Sequence, residues 1–370
     1  MPKAKKFTVA AAQIAPVFMD RAATIDKACE TLAEAAANGA KLVVFPEAFV
    51  PSYPDWVWVT PAIRADIHSS MYAELLDQSV TVPGPDVDKL CRAAKKNKCY
   101  VVIGVNERNA DASGTSLYNT LVYIDDKGKV MGIHRKLMPT AAERLVWTPG
   151  DGSTLEVFDT PYGKLGGLIC WENYMPLARY AMYAQGVQIY VAATWDSADS
   201  WVATLRHIAK EGRLYVIGCC IAMRRDEIPD RYEFKSLYPP DGEWVNVGNS
   251  AIVGPDGDLL AGPVTAKEEI LYAEIDITRQ LGPRYWLDAA GHYARPDVFQ
   301  LTVNRYANAM NRRRPRSGGG LASGGLLGEP DGVREQHGDR HRPDAAGHGC
   351  DRAGDLAHRL VVHVADEAPA

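Results

Sequence analysis

A layered α/β domain is predicted for residues 7–303, and three observations carry the prediction. Short β-branched runs alternate with patterns of helical period. Several of those runs are apolar without a break, as strands buried on both faces are. Gly, Pro and Asp cluster at the joins, where tight turns need them. Residues 1–6 read as an N-terminal extension and residues 304–370 as a C-terminal tail.

The elements follow in order. Residues 7–14 are expected to form a strand running from an edge into the core. Residues 24–37 place Ile25, Ala28, Cys29, Leu32 and Ala36 on one helical face, and Gly39 can end that helix. Further strands are expected at 42–45, 100–103, 119–123, 165–170, 189–193, 215–221, 250–253 and 270–275, with another beginning near Val130. Further helices are expected at 86–96, 177–185 and 200–212. Turn words at 125–128, 161–163 and 255–257 mark hairpins. No internal repeat with a period of solenoid length is present.

Composition narrows the function classes. Hydrophobic residues make up 46% and charged residues 24% of 370, which excludes a wholly disordered, collagen-like or coiled-coil chain. A net charge of −5 argues against a nucleic-acid binder, which concentrates basic residues on one face. No apolar run reaches the roughly 18 residues that a membrane-spanning helix requires. Lys3, Lys5 and Lys6 before an apolar stretch imitate a signal peptide, but Gln13 and Asp20 interrupt the stretch too early. The seven cysteines are therefore expected to be reduced cytoplasmic thiols, one of which can serve as a nucleophile. From about residue 311 the chain has no Phe, Trp, Tyr, Ile, Lys or Met, and is expected to be disordered. Five of the nine histidines fall there, without ligand-like spacing, so no metal site is expected.

Three local clusters carry chemistry. Residues 43–47 form an apolar run that delivers Glu47 past its end, with Pro46 stopping the ladder. Desolvation there would raise the carboxylate pKa into the range of a general base. His134-Arg135-Lys136 ends a second strand and is followed by Glu143, an acid placed to hold the lysine. Residues 164–176 read as strand, elbow and helix, with Cys170 at the elbow and Pro176 in the first helical turn. Cys170 is thus expected at the N-terminal side of a helix, where backbone N–H groups favour thiolate. His207 and His292 read as structural.

The words Phe45-Pro46-Glu47, His134-Arg135-Lys136 and Cys170-Trp171-Glu172-Asn173, in this order, resemble the successive blocks of the nitrilase superfamily of carbon–nitrogen hydrolases. The resemblance spans about residues 7–303 and includes Thr140 to Arg144, Asp196 to Trp201 and Gly291 to Asp297. The last of these words, with the one at Cys170, looks like the true nitrilase branch. The resemblance implies an αββα sandwich whose subunits self-associate, often into spirals or filaments. It implies Cys170 as nucleophile, Glu47 as general base, Lys136 as stabiliser of the tetrahedral intermediate and Glu143 as the acid that positions the lysine. It requires no cofactor and no metal. The implied reaction converts an organic nitrile to its acid and ammonia through a thioimidate and a thioester. Tyr53, Trp56, Trp171 and Trp195 are the aromatic candidates for a substrate wall, suited to an aryl or arylaliphatic nitrile. An aliphatic nitrile, cyanide, or an amide would use the same four catalytic groups. A non-catalytic binding protein is disfavoured by the intact tetrad, and a thiol redox enzyme by the lack of a suitably spaced second cysteine.

Overall fold

The computed structural model describes residues 6–111 and 113–308. The expected disorder beyond residue 311 and the tail histidines lie outside these residues. The first half of the chain supplies β1 (Lys6–Gln13), α1 (Arg21–Ala37), β2 (Ala40–Val44), α2 (Trp56–Val59), α3 (Ala65–Gln78), α4 (Pro85–Asn97), β3 (Tyr100–Arg108), β4 (Leu117–Ile124) and β5 (Val130–Arg135). The second half supplies β6 (Phe158–Thr160), β7 (Gly163–Gly167), α5 (Pro176–Ala184), β8 (Ile189–Thr194), α6 (Asp199–Gly212), β9 (Tyr215–Cys220), β10 (Ala222–Arg224), β11 (Trp244–Val253), β12 (Leu259–Thr265) and β13 (Glu269–Asp276).

Two sheets result. One has the order β13-β1-β2-β3-β4-β5, and the other β10-β11-β9-β8-β7-β6 with β12 added beside β11. The β1-β2-β3 and β7-β8-β9 blocks are parallel, which suits strands joined through helices. Alternation along the strands separates the layers. Val9, Val102, Val191 and Ile217 meet between the sheets, while Ala10, Val43 and Val101 face α1 and α4, and Tyr190, Ala192 and Val216 face α5 and α6. The order is helix, sheet, sheet, helix, the αββα sandwich. Uninterrupted apolar runs follow directly, because both faces of each central strand are covered. Each such Val or Ile contributes roughly 1.5–3 kcal/mol by leaving water.

Local signals place the helix ends. The Asp20 carboxylate accepts from Ala23 N–H at 2.9 Å and starts α1 three residues before the expected position. Pro85 opens α4, and Lys98 closes it in the left-handed conformation. Of the elements that escaped the sequence reading, α3 and β12 show the reason most clearly. In α3 only Ile67, Met71 and Leu75 are buried, a stripe too narrow to stand out. In β12 the Gly262-Pro263 pair imitates a turn and most side chains are partly or fully exposed. Strand β3 also runs to Arg108 instead of ending at residue 103, because its polar end is paired. Glu107 accepts from Thr120 at 2.7 Å and from both arms of the Arg135 guanidinium at 2.8 and 2.6 Å.

The domain bounds differ slightly from those expected. Lys6 already pairs with Asp276, so the sheet starts one residue earlier. Residues past 303 stay attached: Arg305 Nη1 donates to Leu155 O at 3.0 Å and Asn308 N to Asp151 Oδ2 at 2.6 Å. Among the described residues no helix is long and apolar enough to cross a membrane.

Candidate active site

Glu47 leaves the end of β2 on a turn that hugs β3. Phe45 N–H donates to Val102 O at 2.8 Å, and Gly104 N–H donates to Pro46 O at 3.2 Å. A Cβ at Gly104 would stand 2.2 Å from Pro46 O, so only glycine lets the turn lie this close. Ala48 follows with φ +48°, and its left-handed backbone turns the chain sharply after the carboxylate.

Lys136 is the first residue beyond β5. Its backbone is fixed on both sides, N–H to Asn119 O at 2.8 Å and carbonyl from Gly150 N–H at 2.7 Å. Its ammonium lies 2.8 Å from Glu47 Oε1 and 2.7 Å from Glu143 Oε2. Glu143 sits in a short 3-10 turn after Thr140, whose N–H donates to Glu143 Oε2 at 2.6 Å. Tyr53 Oη donates to the other Glu143 oxygen at 2.6 Å. Glu47 also accepts from Asn119 Nδ2 at 2.7 Å and from Trp195 N–H at 2.8 Å. Three of the four lone-pair directions of Glu47 are thus used by the described residues, and the fourth lies on Oε2.

All three charged groups are buried, at 0, 1 and 1% exposure for Glu47, Lys136 and Glu143. Burial pushes the Glu47 pKa up, the Lys136 charge pulls it back, and Glu143 adds to the rise. Burial alone would lower Lys136, but the Glu47 charge reverses that and leaves its pKa raised. One cation thus sits between two buried carboxylates, and the Glu47 charge is what keeps it protonated against burial.

Cys170 completes the group. Strand β7 ends at Gly167, where a Cβ would meet Val191 O at 2.0 Å, and the chain leaves the ladder three residues before the thiol. Cys170 has φ +51°, a strained conformation for a residue with a side chain. Asn173 over-determines it: Nδ2 donates to Cys170 O at 2.8 Å and to Leu168 O at 3.1 Å, while Tyr190 Oη donates to Asn173 Oδ1 at 2.8 Å. Thr194, at the end of β8, donates its hydroxyl to Cys170 Sγ at 3.2 Å.

The thiol is not at an α-helix N-terminus, contrary to the sequence expectation. A 3-10 turn spans Cys170–Tyr174, and α5 begins only at Pro176. Burial first, and the Glu47 charge second, push the thiol pKa up, with Lys136 opposing. That direction favours the protonated thiol, and a thiol that is to attack as a nucleophile then needs a base beside it. Three of the other buried thiols are engaged elsewhere: Cys219 donates to Ala12 O and Val44 O, Cys99 to Ala40 O and Cys220 to Asn246 Oδ1.

The four aromatic candidates divide. Tyr53 stacks on Trp195 with ring centroids 4.4 Å apart and planes 4° from parallel, and each residue bonds one of the two carboxylates, Tyr53 to Glu143 and Trp195 to Glu47. Trp171 is 50% exposed, and its indole N–H donates to Asp196 Oδ2 at 2.8 Å, which puts it at a rim. Trp56 is 1% exposed and packs on Phe234, so its expected substrate contact is replaced by a place in the core. His207 and His292 are exposed, not structural core residues, and the word from Gly291 to Asp297 lies against α5 in the outer layer.

Asn119 and Thr194 were not anticipated as site residues. A polar side chain inside a strand buried on both faces must find a partner, and Asn119 carries that signal. Thr194 has no local signal, since only the parallel pairing of β7 and β8 brings it to Cys170.

Asp55 supports the Trp195 wall, accepting from the Trp195 indole and from Tyr238 Oη. Burial raises its pKa to about 6 against those two bonds. The folded value lies above the unfolded one near 3.9, so its stabilising contribution is complete below that and lost as pH rises through about 6. The gap corresponds to about 3 kcal/mol. Asp55→Asn should therefore lose less melting temperature than wild type between pH ~4 and ~7. Equal losses would reject the assignment.

The family profile described as carbon-nitrogen hydrolase matches residues 8–280. The chain is 44% identical over 301 residues to a bifunctional nitrilase/nitrile hydratase of Nicotiana tabacum, covering 80% of this chain and 85% of that one. It is 44% identical over 301 residues to an aliphatic nitrilase of Sinorhizobium fredii, covering 81% and 96%. Among solved structures it is similar to Saccharomyces cerevisiae Nit3 of the nitrilase superfamily, with a TM-score of 0.61 at 23% identity over 78% of this chain and 97% of that one. The last likeness concerns the fold alone; the profile and the sequence relatives, taken with the αββα layers, show that the chain belongs to the carbon–nitrogen hydrolase family, in its nitrilase branch.

Proposed function

We propose that the protein hydrolyses organic nitriles to carboxylic acid and ammonia, with an aryl or arylaliphatic group preferred. The observation that carries this reading is the buried Lys136 held between Glu47 and Glu143, with the Cys170 thiol in the same buried group. Glu47 takes the thiol proton as Sγ attacks the nitrile carbon and passes it to the nitrogen, which gives a thioimidate and leaves Glu47 free to act as base again. Glu47 then activates water, which adds to the same carbon. Ammonia leaves from the tetrahedral intermediate, and a second water releases the acid from the thioester and restores the thiol. Two N–H bonds of Lys136 hold the carboxylates, which leaves the third for charge developing on the substrate. The N–H of Trp171 is the second donor in this scheme. Loss of the thiol instead of ammonia from the tetrahedral intermediate would release amide.

The partly exposed indole of Trp195 and the exposed indole of Trp171 support the aryl preference, as apolar surface beside the buried charges. Ammonia release from phenylacetonitrile, mandelonitrile, benzonitrile, 3-phenylpropionitrile, a short aliphatic nitrile, cyanide and the matching amides tests it. Faster turnover of the aryl members is expected. Preference for the aliphatic nitrile or cyanide would reject the aryl reading, and turnover of amides alone would reject nitrile hydrolysis.

A further inference from the structure

His134 stands two residues before Lys136 on β5, and Glu172 two residues after Cys170 in the elbow. Their side chains are 2 and 0% exposed. Glu172 Oε2 accepts from Ile169 N–H at 2.8 Å and lies 3.0 Å from His134 Nε2. Glu172 Oε1 accepts from Leu137 N–H at 2.5 Å. One carboxylate therefore ties the residue before the nucleophile to the residue after the lysine. These bonds join two strands from different sheets at the point where both deliver a candidate catalytic group.

The other ring nitrogen decides the charge state. His134 Nδ1 lies 3.2 Å from Thr154 O, and a carbonyl oxygen only accepts. A carboxylate receiving two backbone N–H groups also accepts from the ring. Both nitrogens then carry hydrogen, which is the imidazolium. We propose that His134 is a fixed imidazolium, paired with Glu172, and that this pair positions Lys136 and Cys170 relative to each other. Burial opposes a charged ring, but the Glu172 charge, its hydrogen bond and the Thr154 carbonyl outweigh burial and raise the His134 pKa. Two further titratable groups act electrostatically on Glu172, Tyr123 from β4 and Tyr190 from β8. Burial raises both phenols, so they stay neutral. Neither His134 nor Glu172 reacts with substrate; both are positioning residues. The pair is complete below the ordinary histidine value near 6.5 and is lost as pH rises through the raised value.

The kinetic arm rests on the nitrilase reading above, and the spectroscopic arm does not. In wild-type protein carrying 13C,15N-histidine, the His134 ring signals, assigned within the wild-type protein by their through-bond link to the His134 backbone, should show two protonated ring nitrogens at about pH 7. A bare ring nitrogen there would overturn the proposal, and this arm decides the matter even where the variants fail to fold. In the folded variants His134→Gln and Glu172→Gln, kcat on the fastest nitrile of the panel should fall about 100-fold, with KM changed less than about threefold. His134→Gln should also lose the alkaline limb of the wild-type pH profile. A drop in melting temperature with unchanged kcat per Cys170 alkylated by iodoacetamide would make the pair structural only. Wild-type protein inactive on every nitrile would sink the nitrilase reading instead. The alkylation rate of Cys170 would then serve as the positioning readout, expected to change in both variants and unchanged if the proposal is wrong.

Discussion

Cys170→Ala is expected to lower nitrile turnover by on the order of 10⁴-fold or more while the protein stays folded. The thiol sits in the layer between the sheets at 4% exposure, and removing one sulfur costs roughly 1 kcal/mol, small beside the 5–15 kcal/mol of a typical domain. Alanine also leaves the positive φ as strained as cysteine does, so the elbow is not relaxed by the change. Cys170→Ser should fail as well, because an alkoxide beside the same carboxylate forms far less readily than a thiolate. Ammonia release with the fold checked by circular dichroism reads the result. Activity retained in Cys170→Ala and lost in Cys219→Ala would show that the nucleophile is elsewhere, although Cys219 is fully buried and bonded to two carbonyls.

Glu47→Gln and Lys136→Ala should each cost several orders of magnitude, and combining either with Cys170→Ala should change almost nothing further. The reason is the shared proton circuit: Lys136 touches both carboxylates, and the thiol pKa responds to Glu47 and Lys136 in opposite directions. Additive losses would assign one of them to structure alone. Lys136→Ala should also destabilise the protein, because it strands two carboxylates that are 0 and 2% exposed at their side chains. Glu47→Gln removes one charge and keeps the shape, so its stability loss should be smaller. The pH profile gives a further reading with a definite sign. Burial raises the Glu47 pKa, so activity should fall with acid at a pH above the ordinary carboxylate range. An acid limb near the ordinary glutamate value of about 4.3 would show that a solvated carboxylate controls the rate.

Much of this arrangement was legible in residues 7–303 before any fold was known. The apolar runs announced strands covered on both faces, and the layers of Val9, Ala10, Val191 and Ala192 show why: consecutive side chains enter different cores. Glu47, Lys136 and Cys170 were visible as groups at strand ends, where an apolar run stops and a polar word begins. That signal is local, since period and punctuation need only neighbouring residues.

What depended on pairing between distant segments could not be read this way. Ninety residues separate Tyr53 from Glu143, and 148 separate Glu47 from Trp195 N–H. Whether Trp56 faced substrate or core had no local marker, because one aromatic serves either role. The environment of Cys170 was misread for the same reason. The sequence placed Pro176 near the thiol and suggested a helix dipole, but the backbone spends five residues in a 3-10 turn first. Sequence determined which groups stand at the strand ends; only the stacking of two sheets decided which of them share a buried charge, since Coulomb and desolvation effects depend on distance and burial in three dimensions.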